Sequence, residues 1–213
     1  MFTGIIEEVG KLKSIKREGE TITLEVNAPF VSRDIALGSS VAVSGVCLTV
    51  VGVKGDIFVA EMMEETAKKT KLSSLRPGEL LNLERSLKLS SRLDGHIVQG
   101  HVEGMGIISR VVGGKRTKVM WIKTEEEVFR YIVPKGSVAV DGVSLTVIEM
   151  EGSTFSVGLI PATLESTTLG KSREGDQVNI ETDILGRYIE RFLHSDKEAS
   201  SLTWEKLSRY GWL

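Results

Sequence analysis

Several things are scarce in this chain, and each scarcity closes off a class of function. Cys47 is the only cysteine in 213 residues, which excludes an intramolecular disulfide and any metal centre built from several thiolates. Neither sign of charge is in excess: 27 Lys and Arg stand against 29 Asp and Glu, and there is no basic run. Nothing therefore favours nucleic acid or an anionic membrane surface as a partner. Aromatic residues make up 6%, too few for the stacking platform of a barrel-type oligonucleotide binder. No apolar stretch approaches the roughly 20 residues needed to cross a bilayer. The opening MFTGIIEEVG has neither the charged leader nor the apolar run of a secretory signal. A soluble, cytoplasmic protein with a small polar ligand is the expectation. Histidine is limited to His96, His101 and His194. His96 and His101 lie five apart, not the four of a helical metal pair, and no Cys or carboxylate cluster completes a site, so no metal is expected.

The chain is instead rich in self-similarity. Ser40–Val50 reads SVAVSGVCLTV and Ser137–Val147 reads SVAVDGVSLTV, differing only at Ser44/Asp141 and Cys47/Ser144. In the same register Gly4 and Gly10 align with Gly100 and Gly106, and Thr66, Thr70 and Leu72 with Thr163, Thr167 and Leu169. RPGELLNLE, ending at Glu84, aligns with REGDQVNIE, ending at Glu181. A unit of roughly 85 to 95 residues is too long for a solenoid repeat and suits a small duplicated domain. The expected division is 1–88, 89–183 and a tail, 184–213.

Within each half the periodicity is that of strands. Ile22, Leu24 and Val26 alternate with Thr21, Thr23 and Glu25, and the VAV and CLTV or SLTV runs are rich in β-branched residues. Glycines at 38, 45, 52 and 55, and at 136, 142 and 152, punctuate these runs at hairpin spacing. Several short strands per half predict an all-β fold of two antiparallel barrels, closed so that no sheet edge is exposed. A short helix is expected after Glu64 or Glu65 and another near Leu164. In the tail, Ile184, Leu185, Tyr188, Ile189, Phe192 and Leu193 form one helical stripe. The polar stretch HSDKEASS is read as a break before a second segment, which Thr203 caps and Gly211 ends. Two readings of the stripe stay open: packing on the chain's own barrels, or a subunit contact.

Differences between the two copies point to a division of labour. Cys47 against Ser144 sits in mid-strand, where a cysteine can be a small buried hydrophobe; a serine at the same site makes a nucleophile or hydrogen-bond donor the alternative. His101 stands where the first half has Ile5. If the segment is a strand, residues five apart face opposite sides, so at most one of His96 and His101 points at a given ligand. His194 is read as a solvated residue of the tail.

MFTGI, GVCLTV, the GH-x-x-x-GH segment at 95–101, KGSVAVDGVSLTV and IPATLESTTLG together resemble the riboflavin synthase family, over nearly the whole chain. The resemblance implies two six-stranded Greek-key β-barrels and a C-terminal helix that joins three subunits. It implies a reaction in which two molecules of 6,7-dimethyl-8-ribityllumazine exchange a four-carbon unit, giving riboflavin and a ribitylamino-pyrimidinedione, without metal or organic cofactor. It further implies that the facing pockets come from the N-terminal barrel of one subunit and the C-terminal barrel of its neighbour. An association with lumazine synthase is left open.

By the same similarity Gly4, Ile5 and Ile6, with Cys47, Leu48 and Thr49, line the N-terminal pocket, together with Glu61, Met62, Met63, Glu64, Glu65 and Thr66. Gly100, His101, Val102 and Lys135 are expected in the C-terminal pocket with Ser144, Leu145 and Thr146. Gly158, Leu159, Ile160, Pro161, Ala162 and Thr163 complete it. Cys47, His101, Ser144 and Asp183 are expected nearest the chemistry, with His101 as proton acceptor because imidazole titrates near neutrality. Two residues depart from the family pattern. Ser44 replaces an expected Asn, for which tuned affinity is expected, and Asp94 replaces a Gly in what reads as a linker turn. The alternative is a non-catalytic lumazine- or flavin-binding antenna protein. Such relatives lose polar site residues in one half, whereas Cys47, His101, Lys135, Ser144 and Thr146 are all present here.

Overall fold

The computed structural model describes residues 1–199 and 208–209. The strand-period segments of the first half become β1 (Glu8–Glu18), β2 (Thr21–Asn27), β3 (Ser40–Val43), β4 (Val46–Lys54), β5 (Ile57–Met63) and β6 (Leu80–Arg85). These close into an antiparallel barrel in the order β1-β2-β5-β4-β3-β6, with β6 pairing back onto β1. The second half repeats that Greek-key order with β7 (Gly104–Gly113), β8 (Lys118–Thr124), β9 (Ser137–Val140), β10 (Val143–Glu151), β11 (Thr154–Leu159) and β12 (Gln177–Thr182). Helices follow β5 and β11 as expected, α1 at Glu64–Lys68 and α3 at Pro161–Ser166. A one-turn helix, α2 (Glu126–Phe129), was not expected, being too short to impose a period on the sequence.

Alternation decides which side chains fill the barrels. Ile22, Leu24 and Val26 point inward and are buried against Phe58, while Phe155, the equivalent of Phe58, fills the second barrel. Each such side chain stabilises the fold by about 1.5–3 kcal/mol. Removing the whole ring of Phe58 or Phe155 would cost about 3–5 kcal/mol, because the closed sheet cannot collapse onto the gap.

The halves meet back to back through two hairpin turns. Ser44-Gly45 and Asp141-Gly142 both adopt left-handed backbone, with φ of 46° and 82°, and 48° and 78°, the geometry of a two-residue turn matched to strand twist. A Cβ on Gly45 would stand 2.7 Å from the Gly142 nitrogen, and one on Gly142 would stand 2.7 Å from that of Gly45. Asn82 and Asn179 stitch the seam reciprocally. Asn82 Nδ2 donates to the Asp141 carbonyl at 3.0 Å and Asn179 Nδ2 to the Ser44 carbonyl at 2.8 Å. The symmetry fails at one pair: Asp141 meets Lys71 in a buried ion pair, whereas their counterparts, Ser44 and Thr168, leave two buried hydroxyls without protein partners. Ser44 thus belongs to the seam, away from Cys47's outward face, and Asp94 is an exposed bend residue.

The tail is a continuous helix, α4 (Ile184–Ala199), so HSDKEA does not break it; its residues extend the helix despite their polarity. Leu185, Tyr188, Ile189 and Phe192 are each more than half exposed. The expected second segment lies largely outside the described residues, of which Ser208 and Arg209 are helical. Among the described residues no helix is long and apolar enough to cross a membrane.

Candidate active site

Inward positions of β4 and β10 are filled by Val46, Leu48 and Val50 and by Val143, Leu145 and Val147, so the residues between them face out. Cys47 and Thr49 therefore share an outer face of the first barrel, and Ser144 and Thr146 the matching face of the second. Leu48 and Leu145, expected at the ligand, have their side chains in the barrel cores and can offer only backbone groups outward. The same alternation turns Glu61 and Met63 outward beside Thr49 while burying Met62; in the second half Ile160 is exposed and Leu159 buried. Glu64, Glu65 and Thr66 lie in α1, and Pro161, Ala162 and Thr163 in α3.

The segment before each half's first strand crosses to the other barrel. The Ser144 N–H donates to the Gly4 carbonyl at 2.8 Å, and the Cys47 N–H donates to the Gly100 carbonyl at 2.9 Å. Ile6 packs on the core of the second barrel and Val102 on that of the first. The expected grouping is thus exchanged: Gly4, Ile5 and Ile6 accompany Ser144, while Gly100, His101 and Val102 accompany Cys47. The physical reason is the pairing of the two arms with each other, Phe2 with Val98, which draws each across the seam before its strand begins. Glycine is required at both crossings. Gly4 and Gly100 have φ of 79° and 80°, and a Cβ would lie 2.6 Å from Ser144 Cβ and 2.5 Å from Cys47 Cβ respectively.

A buried glutamate at the end of each sixth strand holds each arm. Glu84 accepts from the Thr3 N–H at 2.6 Å, the Thr3 hydroxyl at 2.7 Å and the Gly4 N–H at 2.9 Å. Glu181 accepts from Gln99 at 2.6 Å, from Gly100 at 2.9 Å and from the His101 amide. Burial pushes both carboxyls above the ordinary glutamate range, against these bonds, which favour the charged form.

The two outer faces differ chemically. His96 is buried, with Nδ1 2.7 Å from Ser144 Oγ and Nε2 without a protein partner. Burial lowers the affinity of its imidazole for a proton, opposed by the charge of Asp183. His101 is exposed beside Cys47. Lys135, whose N–H donates to Val147, has φ of 66° where the first half has Gly38. A lysine held in that conformation is strained by about 1–2 kcal/mol, a cost that suggests a role for its charge. Glu61, in turn, faces Gly158 in the alignment. A carboxylate therefore stands beside Thr49 on the outer face of the first barrel, where the second has glycine.

Sequence reasoning missed His96, Glu84 and Glu181 as site residues. The glutamates had a signal: an acid kept in both copies at the end of apolar LLNLE and QVNIE. Of two clefts, of about 640 and 580 Å³, the first runs along the N-terminal arm, lined by Thr3, Ile5 and Glu84 with Asp34, Arg85 and Lys88, and the other is walled by Lys71, Glu79 and Lys171 along the seam. Neither includes Cys47 or Ser144. No group of three His, Cys, Asp or Glu among the described residues could hold a metal ion.

Comparison with known proteins agrees with the duplicated geometry. The family model described as lumazine binding domain matches twice, at residues 3–86 and 99–183. The chain is 42% identical to a riboflavin synthase of Actinobacillus pleuropneumoniae over 99% of this chain and 100% of that one. It is 45% identical to one of Mycobacterium tuberculosis over 92% and 99%. Among solved structures, LumP complexed with riboflavin aligns with a TM-score of 0.80 at 23% identity, covering 85% of this chain and 99% of that chain, a likeness of fold. With two crossed lumazine-binding domains along nearly its full length, the chain belongs to the riboflavin synthase family.

Proposed function

We propose that the chain dismutates 6,7-dimethyl-8-ribityllumazine, one molecule losing a four-carbon unit to the other to give riboflavin and 5-amino-6-(D-ribitylamino)uracil. The observation that carries this reading is the presence in one chain of two equivalent outer faces, one on each barrel, that carry different reactive side chains. A reaction between two copies of one substrate needs similar binding surfaces and different reactive groups, and Cys47 with Glu61 against Ser144 with His96 and Lys135 supplies that difference. Holding two rings face to face is worth up to about 7–11 kcal/mol of the barrier, and no metal or organic cofactor is needed.

One pteridine must lose a proton from its C7 methyl group. His96, kept neutral by burial, is the base: the Ser144 hydroxyl proton passes to Nδ1 as Oγ takes the methyl proton, and Lys135 favours the resulting anion. His96 takes this role in place of His101, whose neighbour Gly100 accepts from the Cys47 N–H. The Cys47 pocket then holds the acceptor ring, to which a nucleophile adds.

The exposed apolar stripe of α4 supports a homotrimer in which the Cys47 face of one subunit meets the Ser144 face of the next; association with lumazine synthase belongs to the same reading. A mixing experiment tests the sharing. Cys47→Ser and Ser144→Ala chains, each of low activity, are dissociated, mixed and reassociated. A shared site regains activity, because some interfaces then combine an intact Cys47 with an intact Ser144. A mixture no more active than its components would mean that each chain works alone.

A further inference from the structure

We propose that Glu84 and Glu181 are positioning residues that act across the seam, Glu84 setting the Ser144 pocket of the second barrel and Glu181 the Cys47 pocket of the first. The inference rests on the reading that these two faces are the ligand pockets, and deepens it.

Each glutamate is 4% exposed at the end of a strand whose inward residues already complete a core. The charges acting on them, from Glu7 and Glu103, are negative. A carboxylate buried in such company destabilises the fold unless its hydrogen bonds repay it. Both oxygens of each are engaged by the crossing arm: Thr3 and Gly4 at Glu84, Gln99 and Gly100 at Glu181. The arms in turn fix Gly4 against Ser144 and Gly100 against Cys47 through backbone bonds of 2.8 and 2.9 Å. An isosteric amide would present an NH₂ to a row of N–H donors, so Glu→Gln converts attraction into repulsion at the arm while leaving the strand's size unchanged.

The effect must therefore be crossed: a change in one barrel disturbs the pocket of the other. The chain's sole thiol reports on one pocket without ambiguity. Alkylation of Cys47 by iodoacetamide is followed in the full-length protein, alone and with riboflavin as probe. Glu181→Gln is expected to raise the ligand-free rate several-fold by releasing Gly100. It should also raise the riboflavin concentration for half-protection about tenfold, the effect of roughly one lost charge-assisted hydrogen bond. Glu84→Gln should leave both unchanged at Cys47. In the double variant Cys47→Ser/Ser144→Cys, which moves the thiol to the other pocket, the pattern should reverse.

Where a Gln variant does not fold, Glu181→Asp, which shortens the reach, and Thr3→Val, which removes one donor to Glu84, carry the same test. Equal effects of both glutamates on both thiols, or none, overturn the proposal. If riboflavin protects neither thiol in the parent proteins, the pocket reading fails, and the ligand-free rates alone still decide the clamp.

Discussion

His96 Nδ1 stands 2.7 Å from Ser144 Oγ, at the position where the first half carries Cys47. A pair that moves one proton works as a unit. Ser144→Ala and His96→Gln should each lower kcat by about 10²–10⁴-fold, and the double variant by little more than the worse single one. Steady-state kinetics check this, with thermal unfolding to show that the barrels persist. Independent, additive losses would separate the two residues.

The same histidine sets a pH dependence. Burial holds its imidazole below the ordinary value of 6.5, so the unfolded chain takes up the proton first. Stability from this group is present in full above that value and is lost as pH falls through it toward the lowered one. Glu84 and Glu181 act with opposite sign. Burial raises them above 4.5, so their contribution is complete below that value and declines as pH rises through the raised one. The acid limb of kcat/KM should lie below 6.5 and vanish in His96→Gln. Replacing both glutamates by Gln should flatten the mildly acidic part of the melting-temperature profile.

Gly100→Ala places a methyl group 2.5 Å from Cys47 Cβ on a backbone with φ of 80°. The strained conformation alone costs about 1–3 kcal/mol, and relief requires the arm to lift from β4. Riboflavin binding at the Cys47 face should weaken more than global stability falls, as titration beside a denaturant curve would show. Equal losses would mean that the arm moves only with the whole barrel.

At the seam, Lys71 pairs with a fully buried Asp141. Lys71→Met strands that carboxyl and should cost about 3–5 kcal/mol, less at acid pH, because burial already pushes the Asp141 carboxyl up. Lys71→Thr with Asp141→Ser reproduces the Ser44/Thr168 arrangement across the axis and should recover most of that loss. Denaturant midpoints with unchanged slopes measure both.

The barrels were legible because their information is local. Alternation at Ile22–Val26, glycine at each turn and an almost perfect repeat at Ser40–Val50 specify strands one by one. The candidate strand residues Cys47 and Ser144 were legible for the same reason, as the place where the copies disagree. The crossing of the arms was not, because it depends on Phe2 meeting Val98 across the seam, a contact with no periodic signature. The resemblance singles out His101, and nothing in the sequence signals that His96, in a segment outside any strand, reaches Ser144. The polar run after Leu193 resembles a break, yet Asp, Lys, Glu and Ala are compatible with a continuing helix, and the helix runs on to Ala199.

The central claim is that two copies of one substrate react with each other in this protein. Purified enzyme incubated with 6,7-dimethyl-8-ribityllumazine alone, in the presence of a chelator, tests it directly by chromatographic mass balance. One riboflavin and one ribitylaminouracil should appear for every two lumazines consumed, over many turnovers. Tight binding of the lumazine with no riboflavin formed would contradict the claim and leave a binding protein in its place.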